Sequence, residues 1–162
     1  MLALAVALLC AGCANRQADD LSAADSGPAE ANEPDVVKAA RLHIGARYKY
    51  GGRTPQTGFD CSGLVYWSYA QVGITLPRRA RDQRMSGIKV HDKSQLQPGD
   101  IVVFKGTNSR SGWHSGIYTE NGKFIHSPHS GRSVTEAELD HPYYARHYAG
   151  ARRIPPTEKK RN

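Results

Sequence analysis

The apolar positions change their spacing along the chain. Met1 to Cys10 is an almost unbroken apolar run. It is too short to span a membrane as a helix, which takes about 20 apolar residues. It fits the apolar core of a secretory signal peptide, although no Lys or Arg precedes it. From Pro34 the spacing turns helical. Val36, Val37, Ala40 and Ile44 form a stripe, Pro34 and Asp35 suit a helix start, and Gly45 can end it. A second helix is expected from Cys61 to about Val72, with Asp60 as its N-cap, Gly73 beyond its end, and Leu64, Val65, Trp67, Ser68 and Ala70 packing it. Arg78 to Met85 reads as a short third helix.

Past Gln97 the pattern becomes that of strands. Gln97-Pro98-Gly99-Asp100 is a turn feeding a strand from Ile101 to Lys105. His114–Thr119 and Lys123–Ser127 flank Asn121-Gly122, a strong hairpin signal. Tyr148 to Ile154 reads as the last strand. Helices first and antiparallel strands afterwards indicate an α+β domain. Residues 14–33, rich in Ala, Asp, Ser, Asn and Glu, read as a flexible tether, and residues 155–162 as a polar, disordered tail. The expected division is therefore 1–12 signal segment, 13–33 tether, 34–154 folded domain and 155–162 tail.

Charge sharpens this division. The net charge is +7, yet residues 14–35 carry six acids against Arg16, so everything from residue 36 onward is strongly basic. A basic surface suits nucleic acid, but an export signal argues against that partner. Anionic envelope polymers fit the same charge, and a merely solvated basic surface is the plainer alternative.

The three cysteines separate cleanly. Cys10-Ala11-Gly12-Cys13 resembles the lipobox of bacterial lipoproteins, apart from Cys10 where Leu is usual. That resemblance implies cleavage before Cys13, lipidation of Cys13, and, since Ala14 follows, an outer-membrane anchor facing the periplasm. Cys61 is then the lone thiol of the domain and has no disulfide partner within it. At a helix start, backbone N–H groups are expected to favour its thiolate. A buried, inert cysteine is the competing reading.

The neighbourhood of Cys61 weighs against inertness. Gly58-Phe59-Asp60-Cys61-Ser62-Gly63-Leu64 resembles the nucleophile segment of the NlpC family of papain-like cell-wall cysteine peptidases. Tyr48-Lys49-Tyr50-Gly51-Gly52, Leu96 to Phe104, His114-Ser115-Gly116-Ile117-Tyr118 and Phe124-Ile125-His126-Ser127 follow that family's order. The resemblance implies a papain-like domain whose N-terminal helices pack on an antiparallel sheet. It implies Cys61 as nucleophile, His114 as base and His126 as the residue orienting His114. Tyr48 and Ser62 are implied near the substrate or oxyanion. Ser115 departs from the small aliphatic residue common at its place. The resemblance calls for no cofactor and no metal. It implies peptidoglycan stem peptides as substrate, cut at a stem-peptide or crosslink amide, and leaves open a regulatory adaptor. A catalytically silent wall-binding module, an amidase cutting the muramoyl-L-alanine bond, and a zinc site built from Cys61, His114, His126 and His129 are the alternatives.

The hairpin poses a geometric test. A two-residue loop at Asn121-Gly122 would put His114 and His126 on opposite faces of the sheet. They share a face only if the loop holds an odd number of residues or a bulge intervenes. One of these is expected; otherwise His129 becomes the better orienting residue. His43, His91, His141 and His147 carry no motif, Trp67 reads as core, and Trp113 as a cleft residue. Arg78, Arg79, Arg81 and Arg84 read either as a substrate groove or as a solvated face.

Overall fold

The computed structural model describes residues 33–107 and 111–156. The signal segment, Cys13 and nearly all of the expected tether and tail lie outside these residues. Glu33, at the tether's end, is tied back by the Arg41 guanidinium, with Nη2 at 2.6 Å. No helix among the described residues is long and apolar enough to cross a membrane.

Helix α1 covers Asp35–Arg41, with Pro34 just ahead of it. A two-stranded ribbon, β1 (Arg53–Thr54) and β2 (Gly58–Phe59), leads into α2 (Cys61–Gln71). Asp60 caps α2 by accepting a hydrogen bond from the Gly63 N–H. Gly73 follows its end at φ 78°, a left-handed value that favours glycine. The expected helix over 78–85 shrinks to α3, Ala80–Gln83.

The remaining strands are β3 (Ile88–Val90), β4 (Ile101–Lys105), β5 (Trp113–Tyr118), β6 (Lys123–His126), β7 (Thr135–Glu138) and β8 (Tyr148–Arg153), with α4 (Pro142–His147) before β8. They form one antiparallel sheet in the order β3-β8-β4-β5-β6-β7. The alternation along the strands divides the core. Ile101, Val103, Ile117 and Ile125 meet α1 and α2 through Val37, Leu64 and Val65. Val102, Phe104, Tyr118 and Phe124 form a second cluster with Leu96, Tyr144 and Tyr148 against it. Buried Asp100 holds the end of β8, receiving Arg153 Nε at 2.9 Å and Nη2 at 2.7 Å.

The hairpin answers the parity question. Ile117 pairs with Ile125 and Tyr118 with Phe124. Thr119 N–H reaches the Lys123 carbonyl, so the loop is Glu120-Asn121-Gly122. Asn121 and Gly122 both take positive φ, 49° and 75°. The loop thus holds three residues, and the odd count brings His114 and His126 to one face.

Candidate active site

The start of α2 is built around one carboxylate. Asp60 Oδ1 accepts from Gly63 N–H at 2.7 Å and Oδ2 from Gly51 N–H at 2.9 Å. Arg78 grips the same carboxylate with both terminal nitrogens, at 2.9 and 2.8 Å, and also reaches the Gly52 carbonyl at 3.0 Å and the Ser62 hydroxyl at 3.1 Å. A two-pronged guanidinium–carboxylate pair fixes direction as well as distance. Of the four arginines read as a groove or a solvated face, Arg78 is therefore a clamp on the helix start. Arg81 lies beside Asp82, and Arg84 stacks over the Trp113 ring, 5.0 Å from its centroid. The approach is close enough to demand glycines. A Cβ on Gly63 would lie 2.0 Å from the Gly52 carbonyl oxygen, and one on Gly52 would lie 2.3 Å from the Gly58 oxygen.

Cys61 is a free, half-buried thiol at the first position of this helix. The peptide N–H groups of Ser115 and Ser62 and the Ser62 hydroxyl face its sulfur and favour the thiolate. Burial outweighs them and, with the Asp60 charge adding to it, pushes the thiol up to about 11. The N–H groups at the helix start thus act in the expected direction but are outweighed by burial. Donors already aimed at the sulfur can nevertheless serve an oxyanion that forms beside it.

Strand β5 brings the second group. His114 is 4% exposed and His126 is 1% exposed, and His114 Nε2 lies 2.7 Å from His126 Nδ1. Burial lowers His114 to about 4 and holds His126 well below the ordinary histidine value. The Asp60 charge opposes the shift of His114. With Nε2 engaged, the free ring nitrogen of His114 is Nδ1. Gly116 makes room for the pair: a Cβ there would sit 2.8 Å from the Ile125 carbonyl oxygen and 3.2 Å from the His126 Cβ. The Ser127 hydroxyl donates to the Phe59 carbonyl at 2.8 Å and ties the end of β6 to the segment before Cys61.

Ser115 and Gln83 link the two sides. The fully buried Gln83 donates from Nε2 to the Ser62 and Pro77 carbonyls, each at 3.0 Å, and accepts from the Ser115 hydroxyl at 2.8 Å. One side chain thus registers the helix that carries Cys61 against the strand that carries His114. Ser115, the departure from the family pattern, has a defined partner. Tyr48 lies beside Phe59 through a backbone bridge, and its N–H donates to the Arg132 carbonyl. Ser62 is 6% exposed and belongs to the Asp60–Arg78 network. His129 is exposed and bonds the Ser130 carbonyl, while His126 takes the place beside His114.

A cleft of about 650 Å³ opens onto His114 and His126 and is bordered by Arg132, His129, His141 and Tyr144. Among the described residues no group of three or more His, Cys, Asp or Glu is placed to hold a metal ion. The sequence assigns no role to Gln83 or Tyr144, and Gly116 enters only as part of the His114–Tyr118 segment. A glutamine in a short polar helix and a tyrosine in an irregular segment give no periodic signal of their positions.

Residues 45–153 match the NlpC/P60 family. The chain belongs to this family. It is 39% identical over 142 residues to the murein DD-endopeptidase MepH of Escherichia coli K12, covering 82% of this chain and 52% of that protein. It is 37% identical to the probable endopeptidase NlpC of the same organism, over 94% of this chain and 97% of that protein. A crystal structure of an NlpC/P60 family protein from Bacillus cereus superposes with a TM-score of 0.68 at 37% identity, covering 75% of this chain and 40% of that one. The chain thus spans about half the length of MepH and nearly all of NlpC. The α+β architecture, with helices against an antiparallel sheet, is that of the family.

Proposed function

We propose that the protein is a peptidoglycan peptide hydrolase that works through Cys61, His114 and His126. The observation that carries this is the buried His114–His126 pair, next in chain to the Ser115 N–H that faces the Cys61 sulfur. The names of MepH and NlpC support an endopeptidase, and the basic rim of Arg132, His129 and His141 suits the carboxylates of a stem peptide.

At neutral pH the thiol and both imidazoles are neutral, as the directions of their shifts require. Attack of Sγ on the scissile carbonyl carbon transfers the thiol proton to His114 Nδ1. His114 then donates from Nε2 to His126 Nδ1, which stabilises the imidazolium. The carbonyl oxygen becomes an oxyanion received by the N–H groups at the α2 start. His114 returns its proton to the leaving amine, and the C–N bond breaks to give a thioester. Water, deprotonated by His114, attacks the thioester and releases Cys61. Tyr48 and Ser62 border the reacting carbonyl in this reading. Lipid on Cys13 would hold the domain on the periplasmic side of the outer membrane, within reach of the sacculus.

The test is a digest of purified sacculi and soluble muropeptides by the protein and by Cys61→Ala, read by mass spectrometry. Fragments released only by the wild type are expected, and their masses identify the amide cut. Products ending at muramic acid would mark an amidase. If the wild type releases nothing from either substrate, the hydrolase reading fails.

A further inference from the structure

We propose that Tyr144 is a positioning residue that holds His126 in the tautomer His114 needs. The Tyr144 hydroxyl lies 3.2 Å from His126 Nε2, on the side of the ring opposite the contact with His114. The two rings meet edge to face, 5.2 Å apart at 88°. Tyr144 is itself wedged against Phe124, at 4.9 Å and 86°, and against Phe104, at 5.4 Å. Short helix α4 therefore delivers one hydroxyl to one ring nitrogen.

The tautomer follows from counting donors. A neutral imidazole has one N–H and one bare nitrogen. To accept a proton at Nδ1, His114 must carry its own hydrogen on Nε2. That hydrogen points at His126 Nδ1, which must then be bare, so the His126 hydrogen sits on Nε2. His126 is buried, and an N–H there without an acceptor carries a desolvation cost. The Tyr144 oxygen is that acceptor. Burial raises the phenol above its ordinary value, so the hydroxyl stays neutral. Without it, His126 is better served by moving its hydrogen to Nδ1. The bond to His114 then reverses, His114 takes its hydrogen on Nδ1, and the nitrogen left for Cys61 can no longer act as base.

This inference rests on His114 acting as the base, so its test reads the tautomer as well as activity. Tyr144→Phe in the full chain keeps the ring and removes one atom, so thermal unfolding should move little. Long-range proton–nitrogen NMR on histidine-labelled protein should show His126 protonated at Nε2 in the wild type and shifted toward Nδ1 in Tyr144→Phe. On muropeptides, kcat should fall about tenfold with KM within about twofold, the size expected for one lost buried hydrogen bond. In a His126→Ala background, adding Tyr144→Phe should cost nothing further. An unchanged His126 tautomer in Tyr144→Phe overturns the proposal, whatever happens to activity. So does a loss confined to KM, or one that multiplies independently with His126→Ala. If the wild type cleaves no peptidoglycan but the tautomer shifts, the functional reading fails and the assignment to Tyr144 stands.

Discussion

The two halves of the site are held by opposite means. On the Cys61 side, Asp60 gathers two backbone N–H groups and the Arg78 guanidinium, and Gln83 spans Ser62 and Ser115. Order there comes from charge and directed hydrogen bonds. On the His114 side, His114 and His126 sit among Phe104, Phe124 and Tyr144, and order comes from ring packing and uncharged hydrogen bonds along the line His114, His126 and Tyr144. The difference suits the two tasks proposed for Cys61 and His114. A nucleophile needs donors around it to receive charge. A base that must stay neutral until the moment of reaction needs an environment that resists charge.

Several changes would break this contrast. The largest effect is expected from Cys61→Ala, which should lower kcat by about 10³-fold or more while leaving thermal unfolding close to wild type, measured by muropeptide turnover and calorimetry. Next is acid. His114 titrates at 6.5 when free and at about 4 in the fold. The unfolded chain therefore binds more protons in that window, and stability falls as pH drops from 6.5 to about 4. The loss is about 3 kcal/mol from His114 alone, with His126 acting in the same direction, and denaturant melts across that range measure it. Asp60→Ala should cost about 2 kcal/mol by the same melts, since it removes the cap of α2 and strands Arg78. Gln83→Leu should cost about 1–2 kcal/mol, because it leaves the Ser115 hydroxyl and Ser62 carbonyl without their partner. The smallest change is in reagent chemistry. With the thiol pushed up to about 11, alkylation of Cys61 by iodoacetamide should keep rising from pH 8 to 10, and a plateau at neutral pH would contradict a neutral resting pair.

The same contrast explains which parts of the site are legible in the sequence. The Cys61 side is local. Asp60, Cys61, Ser62 and Gly63 are consecutive, and the cap, the helix and the glycine that follows it are all written within one turn-and-helix segment. The His114 side is assembled from strands that meet only through the sheet. Its two histidines were found through the resemblance. Their shared face followed from loop parity, which the sequence posed as a condition and the three-residue loop met. Strand β7, with half-buried Glu136 and Ala137 at its centre, has no clean alternation, and α4 is a six-residue helix among aromatic residues. Neither has the length to declare itself. Arg78 reads as charge and Asp60 as a cap, but their pairing across eighteen positions is not visible in the sequence. The upward shift of Cys61 is not legible there, because the helix start is visible in sequence, whereas burial is a property of the packed whole.

The loop Glu120-Asn121-Gly122 lies outside the histidine pair, yet the place at which it closes the turn works as a parity bit. A slip of β6 by one residue against β5 would turn every β6 side chain over, sending His126 into the layer beneath α2 and Ile125 toward the cleft. A slip of two would restore the face but carry His126 about 7 Å along the strand from His114. An extra residue that the loop absorbs leaves the pairing as it is, whereas a substitution that moves the turn by one position takes the pair apart without altering either histidine.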